Sequence, residues 1–313
     1  MLYAFMAVVV VLTAAATGAS VYMLNFSLSP ESVRGRAESA YASLYRHHGD
    51  LRPWVDSLRE NGALRDTFVT MPGGERHHAI YLRNDSAHGR TAVLVHGYKT
   101  ACQNMLHIGR VYHEVMGFNI LLPDLHAHGE SEGSCIGMGW DERWDVLHWA
   151  AVAERLFRDS VQPSRQVIHG LSMGAAATMN VSGENTPAYI RCFVEDCGYT
   201  SVWDEFASEA EKRFGLPEFP LMYTTSALCK LLYGWSFGEA SSLEQVRKCR
   251  KPMLFIHGEA DKFVPTRMVH SLFEAKPQPK ELWIAPKSKH ARSFGDHKEE
   301  YVRRVKAFVG KYM

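Results

Sequence analysis

The 313-residue chain reads as an α/β protein with a mostly parallel sheet and helices on both faces, and three features carry that reading. Short apolar runs alternate with longer helical stretches, the pattern of strands buried on both sides. A lone serine stands between two glycines where one of those runs meets an alanine-rich stretch, in "QVIHGLSMGAAATMN" (166–180). One interval, about 199–250, breaks the alternation: it is dense in Trp, Phe, Tyr and Leu, holds helix-like stretches and lacks a strand run.

Taken in order, the first element is apolar. From Met1 to Pro30 no side chain is charged, and as a helix Leu2–Leu24 would match the roughly 30 Å hydrocarbon core of a bilayer. Residues 1–30 are therefore expected to form a transmembrane anchor, placing the protein at a membrane. A cleaved signal stays open as the rival, because Ala14-Ala15-Ala16 and Thr17-Gly18-Ala19 resemble small-residue cleavage sites. Against it stand the missing basic n-region and the length of the apolar stretch. Sidedness is open too. Arg34, Arg36 and Arg46 follow the segment and would stay cytosolic by the positive-inside rule, whereas a signal would export the domain.

Residues 31–65 read as linker and helical lead-in, interrupted at Pro53. Thr67–Leu82 reads as two strands around the turn Pro72-Gly73-Gly74. The parallel runs follow at 91–97, 119–125, 165–171, 190–196, 251–258 and 280–286, which makes 66–313 one domain. The interval 199–250 is inserted before the fifth of them. An insertion at the carboxyl edge of an open α/β sheet lies where ligands bind, so it reads as a helical cap.

Formal net charge is +1, from 35 basic and 34 acidic residues, which gives no ground for a nucleic-acid partner. Six dispersed cysteines form no C-x-x-C pair and read as buried thiols, with a disulfide left open for an exported domain. No cofactor is expected. The histidine pairs 47/48, 77/78 and 126/128 lack carboxylates or cysteines at ligand spacing, so no metal is expected either.

The chemistry centres on Gly170-Leu171-Ser172-Met173-Gly174, a G-x-S-x-G pattern. This pattern suits a sharp strand-to-helix turn that exposes a strained serine, and here it falls where a strand run should become a helix. A serine hydroxyl needs a base to take its proton and an acid to orient that base. "FIHGEADKFVP" ends one later run and supplies Asp261; "LWIAPKSKHARS" ends the next and supplies His290. Asp196, at the end of the fourth run, is the alternative acid. Asp261 is favoured because its polar, glycine-containing loop lets a carboxylate reach a histidine ring, while Asp196 suits a structural role at the start of the cap through backbone hydrogen bonds. Oxyanion donors are expected from the backbone N–H of Met173 and of Tyr98, in "LVHGYKTA".

These residues resemble the α/β-hydrolase superfamily, in particular its serine aminopeptidase-like branch of membrane-anchored bacterial hydrolases. The resemblance runs from about Leu64 to Met313 on "HGYKTACQNM", "DLHAHGESEG", "HGLSMGAAATM", "DCGYTSVWDEF", "FIHGEADKFVP" and "SKHARS". It departs at His126-Ala127, where relatives commonly carry arginine and glycine. It implies a serine hydrolase that cleaves an ester, thioester or amide through an acyl-enzyme, on a small-molecule, acyl or peptide substrate. The favoured reading is a carboxylester hydrolase with an apolar acyl substrate. Trp203, Phe206, Phe219, Tyr223, Trp235 and Phe237 of the cap would line the pocket or pack the cap itself. Two alternatives stand beside it: an aminopeptidase-like enzyme, with Glu205, Glu209 or Glu239 holding a substrate amine, and a catalytically silent fold used for binding.

Overall fold

The computed structural model describes residues 1–30, 35, 37–159 and 161–313. Arg34 and Arg36, invoked for sidedness, lie outside the described residues, as does most of the start of the lead-in. The chain forms one eight-stranded sheet: β1 (Arg65–Thr70), β2 (Arg76–Leu82), β3 (Arg90–Val95), β4 (Asn119–Pro123), β5 (Arg165–Leu171), β6 (Ile190–Asp196), β7 (Met253–Gly258) and β8 (Lys280–Ala285). Their order is β1-β2-β4-β3-β5-β6-β7-β8. β2 runs antiparallel to both β1 and β4, and the strands from β3 to β8 are mutually parallel. The six parallel strands coincide with the six apolar runs, two of them residue for residue.

The helices are α1 (Leu2–Leu28), α2 (Ala37–His47), α3 (Arg52–Glu60), α4 (Leu106–Arg110), α5 (Glu142–Leu156), α6 (Met173–Ser182), α7 (Val202–Phe214), α8 (Leu221–Tyr233), α9 (Ser242–Lys248), α10 (Arg267–Ala275), α11 (Ser293–Asp296) and α12 (Lys298–Tyr312). Strand side chains alternate between faces, so the sheet feeds two cores. Val93 and Val95 join Trp149, Phe193 and Phe255 on one side. Ala92 and Leu94 join Tyr301, Val305 and Phe308 on the other. The lead-in contributes to this second core, since Tyr41 and Leu44 of α2 and Val55 of α3 are buried in it. Pro53 does not interrupt a helix there but stands in the first turn of α3, where its missing N–H removes no bond.

Within the inserted interval the three helices have different tasks. α7 and α8 pack on each other, and α8 packs on α1. α9 instead packs on α6 and α10 beside the sheet, with Val246 buried in the first core.

Two segments of α1 differ in their surroundings. Leu2–Ala19 is exposed apart from partly covered Ala16 and the undescribed side chain of Val8. From Ser20 onward a stripe at every fourth position, Ser20, Leu24 and Leu28, is buried. Ser20 Oγ meets Thr224 Oγ1 of α8 at 2.8 Å, and burying each leucine contributes about 1.5–3 kcal/mol. The last four carbonyls of a helix lack partners within it. Here each finds one: Asn25 O accepts from Ser29 N (3.2 Å) and Leu28 O from Ile136 N (2.8 Å). Ser27 O accepts from the Tyr98 hydroxyl (2.7 Å) and Phe26 O from Lys99 Nζ (3.3 Å), a cation suited to the negative end of the helix dipole. α1 is long and apolar enough to cross a membrane.

Candidate active site

β5 ends at Leu171 and α6 starts at Met173, so Ser172 makes the whole turn between them. It sits at φ 57°, ψ −119°, a region that a residue with a Cβ occupies only under strain. Its N–H donates to Asp196 O at 2.8 Å, which ties the turn to the neighbouring strand. The two flanking glycines are sterically required. A Cβ on Gly170 would lie 2.0 Å from Gly174 O, and one on Gly174 would lie 2.1 Å from Val95 O. Alanines 175–177, fully buried, continue this close approach of α6 to the sheet.

The loops after β7 and β8 bring Asp261 and His290 to this turn. His290 Nδ1 lies 2.7 Å from Asp261 Oδ2, and His290 Nε2 lies 2.8 Å from Ser172 Oγ. The other carboxylate oxygen, Oδ1, accepts the N–H of Phe263 (2.9 Å) and Val264 (3.0 Å), which fixes its orientation. A carboxylate that accepts the Nδ1–H hydrogen bond holds the proton on Nδ1 and leaves Nε2 to accept from the serine hydroxyl.

Asp196 is brought elsewhere. Its Oδ2 accepts the Tyr301 hydroxyl at 2.9 Å. The same hydroxyl meets His169 Nε2 at 3.0 Å, and His169 Nδ1 meets the Tyr112 hydroxyl at 3.0 Å. Burial pushes the Asp196 carboxyl up to about 7. The backbone hydrogen bonds expected of its carboxylate at the start of the cap are replaced by this link to α12.

Tyr98 and Met173 both line the cavity onto which Ser172 opens. Neither backbone N–H donates to another group among the described residues. The cavity is narrow, about 90 Å³, and mostly apolar, with Met138, Tyr199, Phe206, Phe214 and Phe263 around the serine. Of the cap aromatics expected there, only Phe206 lines it. Trp235 and Phe237 are buried in the core, and Phe219 and Tyr223 are exposed on the surface. A roomier cavity of about 740 Å³ lies between α7 and α10 but includes none of Ser172, Asp261 and His290. The hydrogen bonds that link Ser172, His290 and Asp261 make the narrow cavity the candidate site.

The carboxylates considered for an amine separate as well. Glu239 is held by Lys230 at 2.8 Å and lies outside the cavity. Glu209 lines the cavity but is paired with Arg213 at 2.6 Å. Glu205 lines it, is buried, and its Oε2 has no hydrogen-bond partner. Burial, with Glu209 nearby, pushes the Glu205 carboxyl up to about 8.

All six cysteines are free and buried. Folding brings together donors that sequence spacing keeps apart: Glu75, His77 and His126 form one group that could hold a cation, and His78, Cys102 and Asp124 another. In the second group the Asp124 carboxylate is already engaged. Asp124 Oδ2 meets His78 Nδ1 at 2.7 Å, and Asp124 Oδ1 accepts Cys102 N at 2.8 Å.

Sequence reasoning missed one wall of the cavity. Met23, Phe26 and Ser27 of α1 line it together with Ser172. The only trace in the sequence is the spacing of Ser20, Leu24 and Leu28, which an apolar segment hides.

An eight-stranded, mostly parallel sheet with a serine on the turn after β5 defines an α/β-hydrolase. The prolyl oligopeptidase family matches residues 139–313, more than half of the chain, and the chain belongs to that family. It is a serine hydrolase, an esterase or peptidase, and a purely binding role is not favoured. Among curated proteins it is similar to the uncharacterized protein YqkD of Bacillus subtilis, 28% identical over 219 residues, which cover 70% of each chain. In fold it is similar to the esterase Pf2001 of Pyrococcus furiosus, with a TM-score of 0.63 and 24% identity over 80% of this chain and 93% of that one. It is also similar in fold to a puromycin-hydrolyzing peptidase of Mycobacterium tuberculosis, with a TM-score of 0.62 and 18% identity over 80% of this chain and 39% of that one.

Proposed function

We propose that Ser172 is the nucleophile, His290 its general base and Asp261 the carboxylate that orients the base, in a carboxylester hydrolase with an apolar acyl substrate. The catalytic unit is residues 66–313, with α7 and α8 as its cap and residues 1–30 as a retained anchor. The observation that carries the assignment is the continuous hydrogen-bonded chain from Asp261 through His290 to the strained Ser172 at the foot of an apolar cavity. Ser172 attacks the ester carbonyl as His290 takes its proton, and the N–H groups of Tyr98 and Met173 receive the developing oxyanion. His290 then returns the proton to the leaving alcohol, and a water activated by the same ring cleaves the acyl-enzyme. Retention of the anchor is supported by α1 running as one unbroken helix through both small-residue triplets.

One observation favours the second reading, a peptidase acting next to a free amine. Glu205 is a buried carboxyl with an unpartnered oxygen beside the serine. A bound ammonium would lower its pKa, so that the carboxyl loses its proton to solvent, and would supply that partner. Turnover of p-nitrophenyl esters of graded chain length, set against aminoacyl-anilides, separates the two. Ester turnover that rises with acyl length is expected; anilide turnover abolished by Glu205→Gln would favour the peptidase.

A further inference from the structure

We propose that the substrate is a bilayer-resident ester, a lipid or long-chain amphiphile that reaches Ser172 laterally from the membrane, with its acyl chain against Met23 and Phe26 of α1. This rests on Ser172 being the nucleophile and adds where the substrate comes from.

The geometry of α1 carries it. The bare segment Leu2–Ala19 is about 27 Å of helix at roughly 1.5 Å per residue, close to the thickness of a hydrocarbon core. At the next residue, Ser20, the helix becomes packed against α8. The globular body therefore begins where the helix leaves the hydrocarbon. Met23 and Phe26, which line the cavity with Ser172, follow within about 9 Å along the axis, inside the headgroup layer of a bilayer. The catalytic cavity thus lies at the level of lipid ester bonds.

The neighbouring surface continues the apolar character. Beside α1, α8 and its lead-in expose Phe219, Tyr223 and Leu231, four and then eight residues apart, and Leu231 and Leu232 are 80% and 57% exposed. Such a stripe suits a helix lying in a membrane interface. Inside the cavity the charges are muted: Glu209 is paired with Arg213, and Glu205, its carboxyl pushed up by burial, is mostly protonated at neutral pH. The cleft would desolvate an acyl chain at little electrostatic cost. A polar soluble substrate gains nothing from a wall built of the anchor.

The test uses the full-length protein in phosphatidylcholine vesicles, with a fluorogenic diacylglycerol ester in the bilayer and p-nitrophenyl acetate in solution. Wild type is expected to hydrolyse both, with the vesicle-borne ester preferred. Leu231→Glu combined with Leu232→Glu, outside the cavity, should lower vesicle-borne turnover at least about fivefold and leave acetate turnover unchanged. Phe26→Ala should lower the decanoate-to-acetate ratio of kcat/KM about tenfold. Acetate turnover without vesicle-borne turnover overturns the proposal and leaves the nucleophile standing, as does a pair of leucine variants that changes neither activity or both alike. Absence of both activities in wild type overturns the carboxylester-hydrolase reading and this proposal with it.

Discussion

At the carboxyl edge of the sheet, Ser172, Asp261 and His290 are fixed by directional bonds: two links of 2.7 and 2.8 Å through the imidazole, and two backbone N–H groups on Asp261. In the cover above them, α1 and α7 wall the cavity with the apolar side chains of Met23, Phe26, Phe206 and Phe214, of which Phe26 and Phe214 are about half exposed. The first region is an arrangement of particular atoms at particular distances. The second depends on volume and apolarity, which many residues supply. The two meet at Tyr98, which lines the cavity and whose hydroxyl bonds to α1.

The sharpest way to break this contrast is at the edge itself. Ser172→Ala should fold normally and lose turnover by about 10⁶-fold, since the three groups act as a unit. Asp261→Asn should lose about 10⁴-fold, because an amide no longer holds the imidazole tautomer. Asp196→Asn probes a carboxylate on the adjacent strand end whose partner is Tyr301. It should keep most activity and cost roughly 1–3 kcal/mol of stability, read by urea denaturation. An inactive but stable Asp196→Asn beside an active Asp261→Asn would exchange their roles.

A smaller effect compares the regions directly. Gly174→Ala would drive a Cβ to 2.1 Å from a backbone oxygen and should cost more than about 3 kcal/mol. Phe206→Leu in the cover should cost less, about 1.5 kcal/mol. Equal losses would mean that the cover is as exacting as the edge.

That difference also explains what could be read from the sequence. The edge was legible because its backbone geometry restricts residue identity. Only glycine fits at 170 and 174, and a candidate acid and base are sought after strands in a set order, so the two side chains that the structure links to Ser172, His290 and through it Asp261, could be picked from the ends of apolar runs. The sheet was legible for a similar reason, because strands buried on both faces are continuous apolar runs. The cover was not. A helix that is exposed over its first part and packed from Ser20 onward is apolar along its whole length, so only the faint spacing of Ser20, Leu24 and Leu28 marks where packing begins. Among the cap aromatics, composition could not tell Phe206, in the cavity, from Trp235 and Phe237, in the core, or from exposed Phe219. Pro53 misled because a proline opens a helix as readily as it ends one.

The smallest expected effect is pH-linked. Glu205 titrates near 8 when folded against an ordinary 4.5, so the folded state holds the extra proton between those values. Stability from this group is complete below about 4.5 and is lost as pH rises towards 8. Glu205→Gln stays neutral throughout. Its Tm should equal that of wild type near pH 5 and exceed it by a few degrees above pH 8. A constant difference across that range would mean that Glu205 is already ionised in the folded protein.

The most direct test of the central claim is to treat the wild-type protein with a fluorophosphonate and map the adduct by mass spectrometry. One modified residue, Ser172, is expected, with ester turnover lost in step with its labelling. An adduct on another serine, or a folded protein that turns over esters while Ser172 stays unlabelled, would contradict it.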